Sequence, residues 1–259
     1  PIMSNPENVF QLGPNAYSKP ATALNILRET IMGPELFDFS FKTYAKRWKF
    51  KHPTPEDFFR TMEDASATDL DWFWRGWFYS TDVVDIGVKN VKRFYFSDTP
   101  DEKASKRLKE FGYDLNNLPD MVFKIDQESD MFDSDLADES AIMSSQILRD
   151  YLTEEGIDPN TKSPKYFYEI EFEKPGGLVM PIIIDIEYED GSVERRKYPA
   201  QVWRKNDSEV RKVLTSDKKI VSIKLDPDEE TADIDTSNNS WPKVENESDF
   251  DKFKSQIKG

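Results

Sequence analysis

The sequence predicts an α+β chain: a helical first part, an acidic, largely helical middle block, and a small antiparallel β-sandwich. Three observations predict it. Apolar residues recur at helical spacing as far as Tyr79. From 164 to 227 they alternate with polar ones in short runs divided by turn residues. Between these lies a heavily charged block in which 126–139 is an acidic stretch. The expected organisation is residues 1–88, helices; 89–163, a strand linker and acidic helical insertion; 164–242, the sandwich; and 243–259, a polar tail with a short helix carried by Phe250, Phe253 and Ile257.

Taken in order, Pro20 suits a first helical turn, where its missing N–H would have no partner anyway, and Leu24, Leu27 and Ile31 follow at helical spacing. Gly33-Pro34 stops this helix. The next, 35–48, has a broad apolar face in Leu36, Phe37, Phe41, Tyr44, Ala45 and Trp48, and ends at His52-Pro53. Thr54 with Asp57 three residues later forms a capping box for a third helix that buries Phe58, Phe59 and Met62. Asp69 is the expected cap of a fourth, 70–79, so apolar that it must be enclosed. Residues 83–96 read as one or two strands or an extended linker. Helices are expected over 103–111 and 141–153. The acidic stretch between them lacks the glycine and glutamate of a calcium loop, counted from Asp126 or Asp133, and reads as a solvated loop. Strands follow at 166–172, 179–186, 193–203, 210–214 and 220–225, with Asp190-Gly191 as a hairpin turn.

Composition limits function. The chain has 259 residues, 37% of them hydrophobic, with six Trp and eighteen Phe, enough to bury a core. A net charge of -15 opposes binding to nucleic acid or an anionic membrane surface. Cysteine is absent, which excludes disulfides and thiolate chemistry. No apolar run approaches the roughly 20 residues that span a bilayer. Lys42, Lys46, Arg47, Lys49 and Lys51 surround Tyr44, Trp48 and Phe50, which reads as a helix with a solvated basic face and a buried aromatic one. His52 is the one histidine and has no companion imidazole, and no Gly-x-Ser-x-Gly elbow or Gly-rich phosphate loop occurs.

The stretch holding Asn15, Tyr17, Ser18, Lys19 and Pro20, at an expected loop-to-helix boundary, resembles the tyrosine-x-lysine-glycine helix entry of the zinc aminopeptidases typified by membrane alanyl aminopeptidase, a gluzincin metallopeptidase family. Pro20 stands where that family commonly has glycine. The helices up to residue 88, with Asp69, Leu70, Asp71, Trp72, Phe73 and Trp74, resemble the end of its catalytic domain, and segments near 176–181 and 225–239 resemble the immunoglobulin-like module that follows. The resemblance implies that Tyr17 is catalytic, donating a hydrogen bond to the oxyanion formed when an N-terminal residue is cleaved from a peptide. It implies zinc in the full-length protein, held by an H-E-x-x-H motif and a later glutamate that this sequence lacks, so no cofactor is expected in this chain, which reads as a C-terminal fragment inactive by itself. The implied partners are a peptide substrate and an upstream catalytic half, in a periplasmic or secreted setting. The alternative is a non-catalytic peptidase-like scaffold or protein-binding module.

Overall fold

Gly33 separates the first two helices because its backbone takes φ 84° and ψ 149°, a conformation that a side chain disfavours. The computed structural model describes residues 1–5, 7, 9, 11–97, 100, 102–118, 121–125, 143–144 and 166–243. Before Gly33 the backbone is helical earlier than Pro20 suggests: Pro14–Ser18 is a π turn, α1 follows at Lys19–Ile26, and Leu27–Met32 is again π-helical. Tyr17 therefore lies within helix rather than at a loop boundary. The physical reason is local. Pro20 has no N–H to close an α turn, and the Lys19 N–H reaches back to the carbonyl of Pro14.

Helix α2 spans Pro34–Trp48, α3 Pro55–Ser66 and α4 Asp71–Tyr79. The capping box of α3 is present: the Thr54 N–H donates to Asp57 Oδ2 at 2.9 Å. For α4 the cap position falls on Leu70, not Asp69; the Asp69 carboxylate accepts the Asp71 N–H at 3.3 Å, and Glu63 accepts the Leu70 N–H at 2.8 Å. Helix α4 buries Phe73, Trp74, Trp77 and Phe78. One side meets α3 through Phe59, stacked on Trp74 at 4.6 Å. Another meets a loop of the strand region, where Gly76 leaves room for Leu178.

Helix α2 departs from expectation. Of its apolar face only Phe37 is buried; Tyr44 and Trp48 are half-covered, while Leu36, Phe41 and Ala45 are exposed. Its aromatic side packs on α3, with Tyr44 edge-on to Phe58 at 4.9 Å and the Trp48 indole N–H donating to Thr61 at 3.1 Å. Phe50, expected to be buried, is 98% exposed at φ 62°, just past the helix end.

The strand region contains two antiparallel sheets. The first orders β3-β2-β1-β4-β7, with β1 Gly87–Ser97, β2 Met121–Ile125, β3 Met143–Ser144, β4 Tyr166–Glu173 and β7 Glu209–Ser216. The second orders β6-β5-β8-β9, with β5 Ile182–Tyr188, β6 Val193–Tyr198, β8 Ile220–Leu225 and β9 Ser240–Trp241. Tyr168 bridges them: its hydroxyl accepts the Ile220 N–H at 2.9 Å. The hairpin at Asp190-Gly191 has Gly191 at φ 77° and a 2.9 Å bond from the Tyr188 N–H to the Ser192 carbonyl. Strand β6 ends at Tyr198, short of the expected 203, because Pro199 cannot donate to a ladder; a 3-10 turn, Ala200–Arg204, takes its place.

In the middle block, α5 spans Glu102–Glu110 and buries Leu108. The helix expected from 141 is corrected at its start, where Met143 and Ser144 pair with Val122 and Met121 of β2. Backbone pairing with an existing strand satisfies these residues directly and overrides their local helical pattern. The acidic stretch 126–139, the rest of that helix and the tail beyond 243 lie outside the described residues.

One buried cluster joins helices and sheets, running through Ala23, Leu27, Met62, Phe73, Val91, Phe172, Ile184, Ile223 and Trp241. The segment 82–87 is its hinge of contact. The Gly176 and Leu178 N–H groups bond to the Asp85 and Val83 carbonyls, both at 3.1 Å, and on the other side the Ile234 N–H bonds to the Val84 carbonyl at 3.0 Å.

Candidate functional site

Tyr17 projects from the π turn with 76% of its surface exposed, and its hydroxyl has no hydrogen-bond partner among the described residues. The helix is anchored further along. Ala23, Ile26 and Leu27 are buried, whereas the turn itself buries nothing. Asn15 Nδ2 donates to the Pro1 carbonyl at 3.0 Å, and Lys19 Nζ donates to the Ser80 carbonyl at the end of α4 at 3.0 Å. Burial holds the Lys19 ammonium below the usual lysine range, with Asp82 opposing that shift. A shallow hollow of about 430 Å³ lies beside the turn, lined by Pro1, Ser4, Gln11, Pro14, Asn15 and Lys19. The Tyr17 ring does not line it.

A larger cleft, about 890 Å³, lies between α3, α4 and the Ala200–Arg204 turn. Phe59, Glu63, Trp72, Arg75, Tyr79 and Trp203 are among its walls, and an Arg204–Asp69 ion pair of 2.7 Å ties its two sides. Burial raises the Glu63 carboxyl above the usual range, while the Leu70 N–H that it accepts opposes the shift. Burial also raises Tyr79, assisted by Glu56. No sequence signal marked this cleft, because its walls come from segments some 140 residues apart whose aromatic residues read simply as core.

His52 is exposed in the connection before Pro53. Trp48 donates its indole N–H to Thr61 at 3.1 Å and lies under the Lys51 ammonium, so the basic segment with its aromatics is a packed helix end apart from Phe50. Among the described residues no group of three or more His, Cys, Asp or Glu side chains could hold a metal ion, and these residues do not fit a zinc site. No helix among them is long and apolar enough to cross a membrane.

No family model matches this chain, and no curated protein matches it. Among solved structures it is similar to the crystal structure of Legionella pneumophila aminopeptidase A in complex with aspartic acid. The identity is 13% and the TM-score 0.42, over 82% of this chain and 16% of that one. That aminopeptidase is a distant structural neighbour, and a likeness of this degree assigns neither family nor activity. The Tyr17 turn offers a phenol on an exposed face with no partner among the described residues, and the cleft beside α4 offers aromatic walls with mixed charge.

Proposed function

We propose that this chain is the C-terminal portion of a zinc aminopeptidase-like metallopeptidase, in which Tyr17 donates a hydrogen bond to the oxyanion that develops as an N-terminal residue is hydrolysed from a peptide. The observation that carries the reading is the state of Tyr17: a phenol without a partner among the described residues, exposed, on a helix anchored in the core from Ala23 onward. A buried tyrosine normally spends its hydroxyl on a neighbour, as Tyr168 does. An unspent donor on a fixed backbone can stabilise charge that appears only in the transition state.

In this reading the zinc, its ligands and the residues that recognise the substrate's amine belong to a further segment of the polypeptide. The metal supplies Lewis-acid chemistry when bound. This chain supplies the oxyanion donor and the body that holds it, with the two sheets bracing the helices through segment 82–87. The 259-residue chain is accordingly inactive alone.

The test compares this chain with a longer polypeptide that includes the preceding segment, measuring bound zinc and hydrolysis of amino-acid anilides. The longer protein should hold about one zinc and turn over, and the chain alone should do neither. Hydrolysis by the chain alone would refute the reading. A longer protein with neither metal nor turnover would leave a peptidase-like scaffold as the better account.

A further inference from the structure

We infer that Lys19 is the positioning residue for Tyr17: its ammonium clamps the exposed π turn onto the carbonyl of Ser80 and so fixes where the phenol stands. The inference rests on the reading of Tyr17 as the oxyanion donor.

Among the described residues, little besides the Asn15 Nδ2 bond to the Pro1 carbonyl and this lysine holds the turn. Pro14–Ser18 buries no side chain, and the first buried residue of the helix is Ala23, more than a full turn beyond Tyr17. A π turn has wider, less regular hydrogen bonding than an α turn, and Pro20 removes one further N–H from its end. Left to itself, such a segment would sample several orientations of the ring. Lys19 crosses to a different element, bonding the Ser80 carbonyl at 3.0 Å over a sequence separation of 61. That carbonyl lies at the C-terminal end of α4, where unpaired carbonyls favour a cation. Its half-buried setting also strengthens the bond relative to one in water.

The anchor itself is rigid. Trp77 and Phe78 are buried just before Ser80, and the Ser80 hydroxyl donates back to the Gly76 carbonyl at 2.8 Å. The Met3 N–H bonds to the Phe78 carbonyl at 2.9 Å, bringing the N-terminal segment to the same place. Two residues on, Asp82 is packed so closely by Gly177 that a Cβ there would lie 2.4 Å from its carboxyl carbon. Lys19 thus links the Tyr17 turn to the point where helices and sheets are joined.

The experiment measures amide hydrogen exchange over residues 15–19 and over α4 in the wild-type chain, Lys19→Met and Lys19→Arg. Loss of the clamp in Lys19→Met should speed exchange of 15–19 about tenfold, with α4 unchanged, and Lys19→Arg, which keeps a cationic donor, should restore protection. Unchanged exchange in Lys19→Met, or equal acceleration in both variants, overturns the clamp. If Lys19→Met does not fold, Lys19→Gln, which lacks the charge, takes its place in the comparison. In the zinc-containing longer polypeptide, Lys19→Met should lower kcat about tenfold or more with KM within about twofold, and Lys19→Arg should recover most of it. Wild-type kcat in Lys19→Met overturns the positioning role. Altered exchange with no hydrolysis by any variant upholds the clamp and removes the peptidase reading.

Discussion

Two tyrosines show how environment divides one side chain into two roles. Tyr17 is exposed and has no partner among the described residues. Tyr188 is buried at the β5–β6 hairpin, where its hydroxyl donates to Glu194 Oε2 at 2.7 Å. Burial first, and that hydrogen bond second, push the Tyr188 phenol up to about 12. Because the folded state binds this proton more tightly than the unfolded chain, whose tyrosines titrate near about 10, the stability from it is complete below that value. It is lost as pH rises through the folded-state value of about 12. Urea unfolding at stepped pH should therefore show falling stability over this window, with a shallower fall in Tyr188→Phe. Burial also raises Tyr168 and Tyr198, which keeps part of the slope in that variant. Identical slopes in the two proteins would contradict the assignment.

At the scale of elements, local chemistry and long-range pairing made separate contributions. The third helix was legible because its signal is complete within four residues: Thr54 and Asp57 close the capping box through a 2.9 Å bond. Replacing Asp57 with Ala should destabilise the protein by about 1 kcal/mol, seen as a lower urea midpoint with unchanged slope. An unchanged midpoint would mean that the box contributes nothing. The hairpin at Asp190-Gly191 was legible for a similar reason, since the left-handed residue the turn needs is a glycine.

Other elements were decided elsewhere in the chain. Met143 and Ser144 lie in a segment of helical periodicity yet pair with β2, a preference no local pattern reveals. The strand expected to reach 203 stops at Pro199 because the missing donor outweighs apolar alternation. Helix α2 has a broad apolar stripe in sequence, and only Phe37 of it is buried, since burial depends on what packs opposite. The same distinction applies to the site. The role proposed for Tyr17 was suggested by its motif, whereas the Lys19 to Ser80 bond spans 61 positions and needed the fold to bring it together.

For the molecule as a whole, helices α1 to α4 and both sheets share one buried cluster, and segment 82–87 is clasped from two sides. Gly176 permits that clasp: a Cβ there would stand 2.5 Å from both the Asp85 nitrogen and the Val83 carbonyl oxygen, backbone atoms that cannot yield as a side chain would. Gly176→Ala should cost about 1–3 kcal/mol, and helical and aromatic signals should still melt together, as a single core requires. Separate transitions for the two signals in the wild type would contradict a shared core. In the proposed function the joint matters because the Lys19 to Ser80 bond ties it to the turn that carries the Tyr17 phenol.

The most direct test of the account is the steady-state rate of Tyr17→Phe in the zinc-containing longer polypeptide, a change that removes one oxygen from an exposed ring and leaves the fold in place. The account predicts that kcat falls by about 10²–10³ with KM little altered, as for loss of one oxyanion donor. Turnover equal to wild type would contradict it.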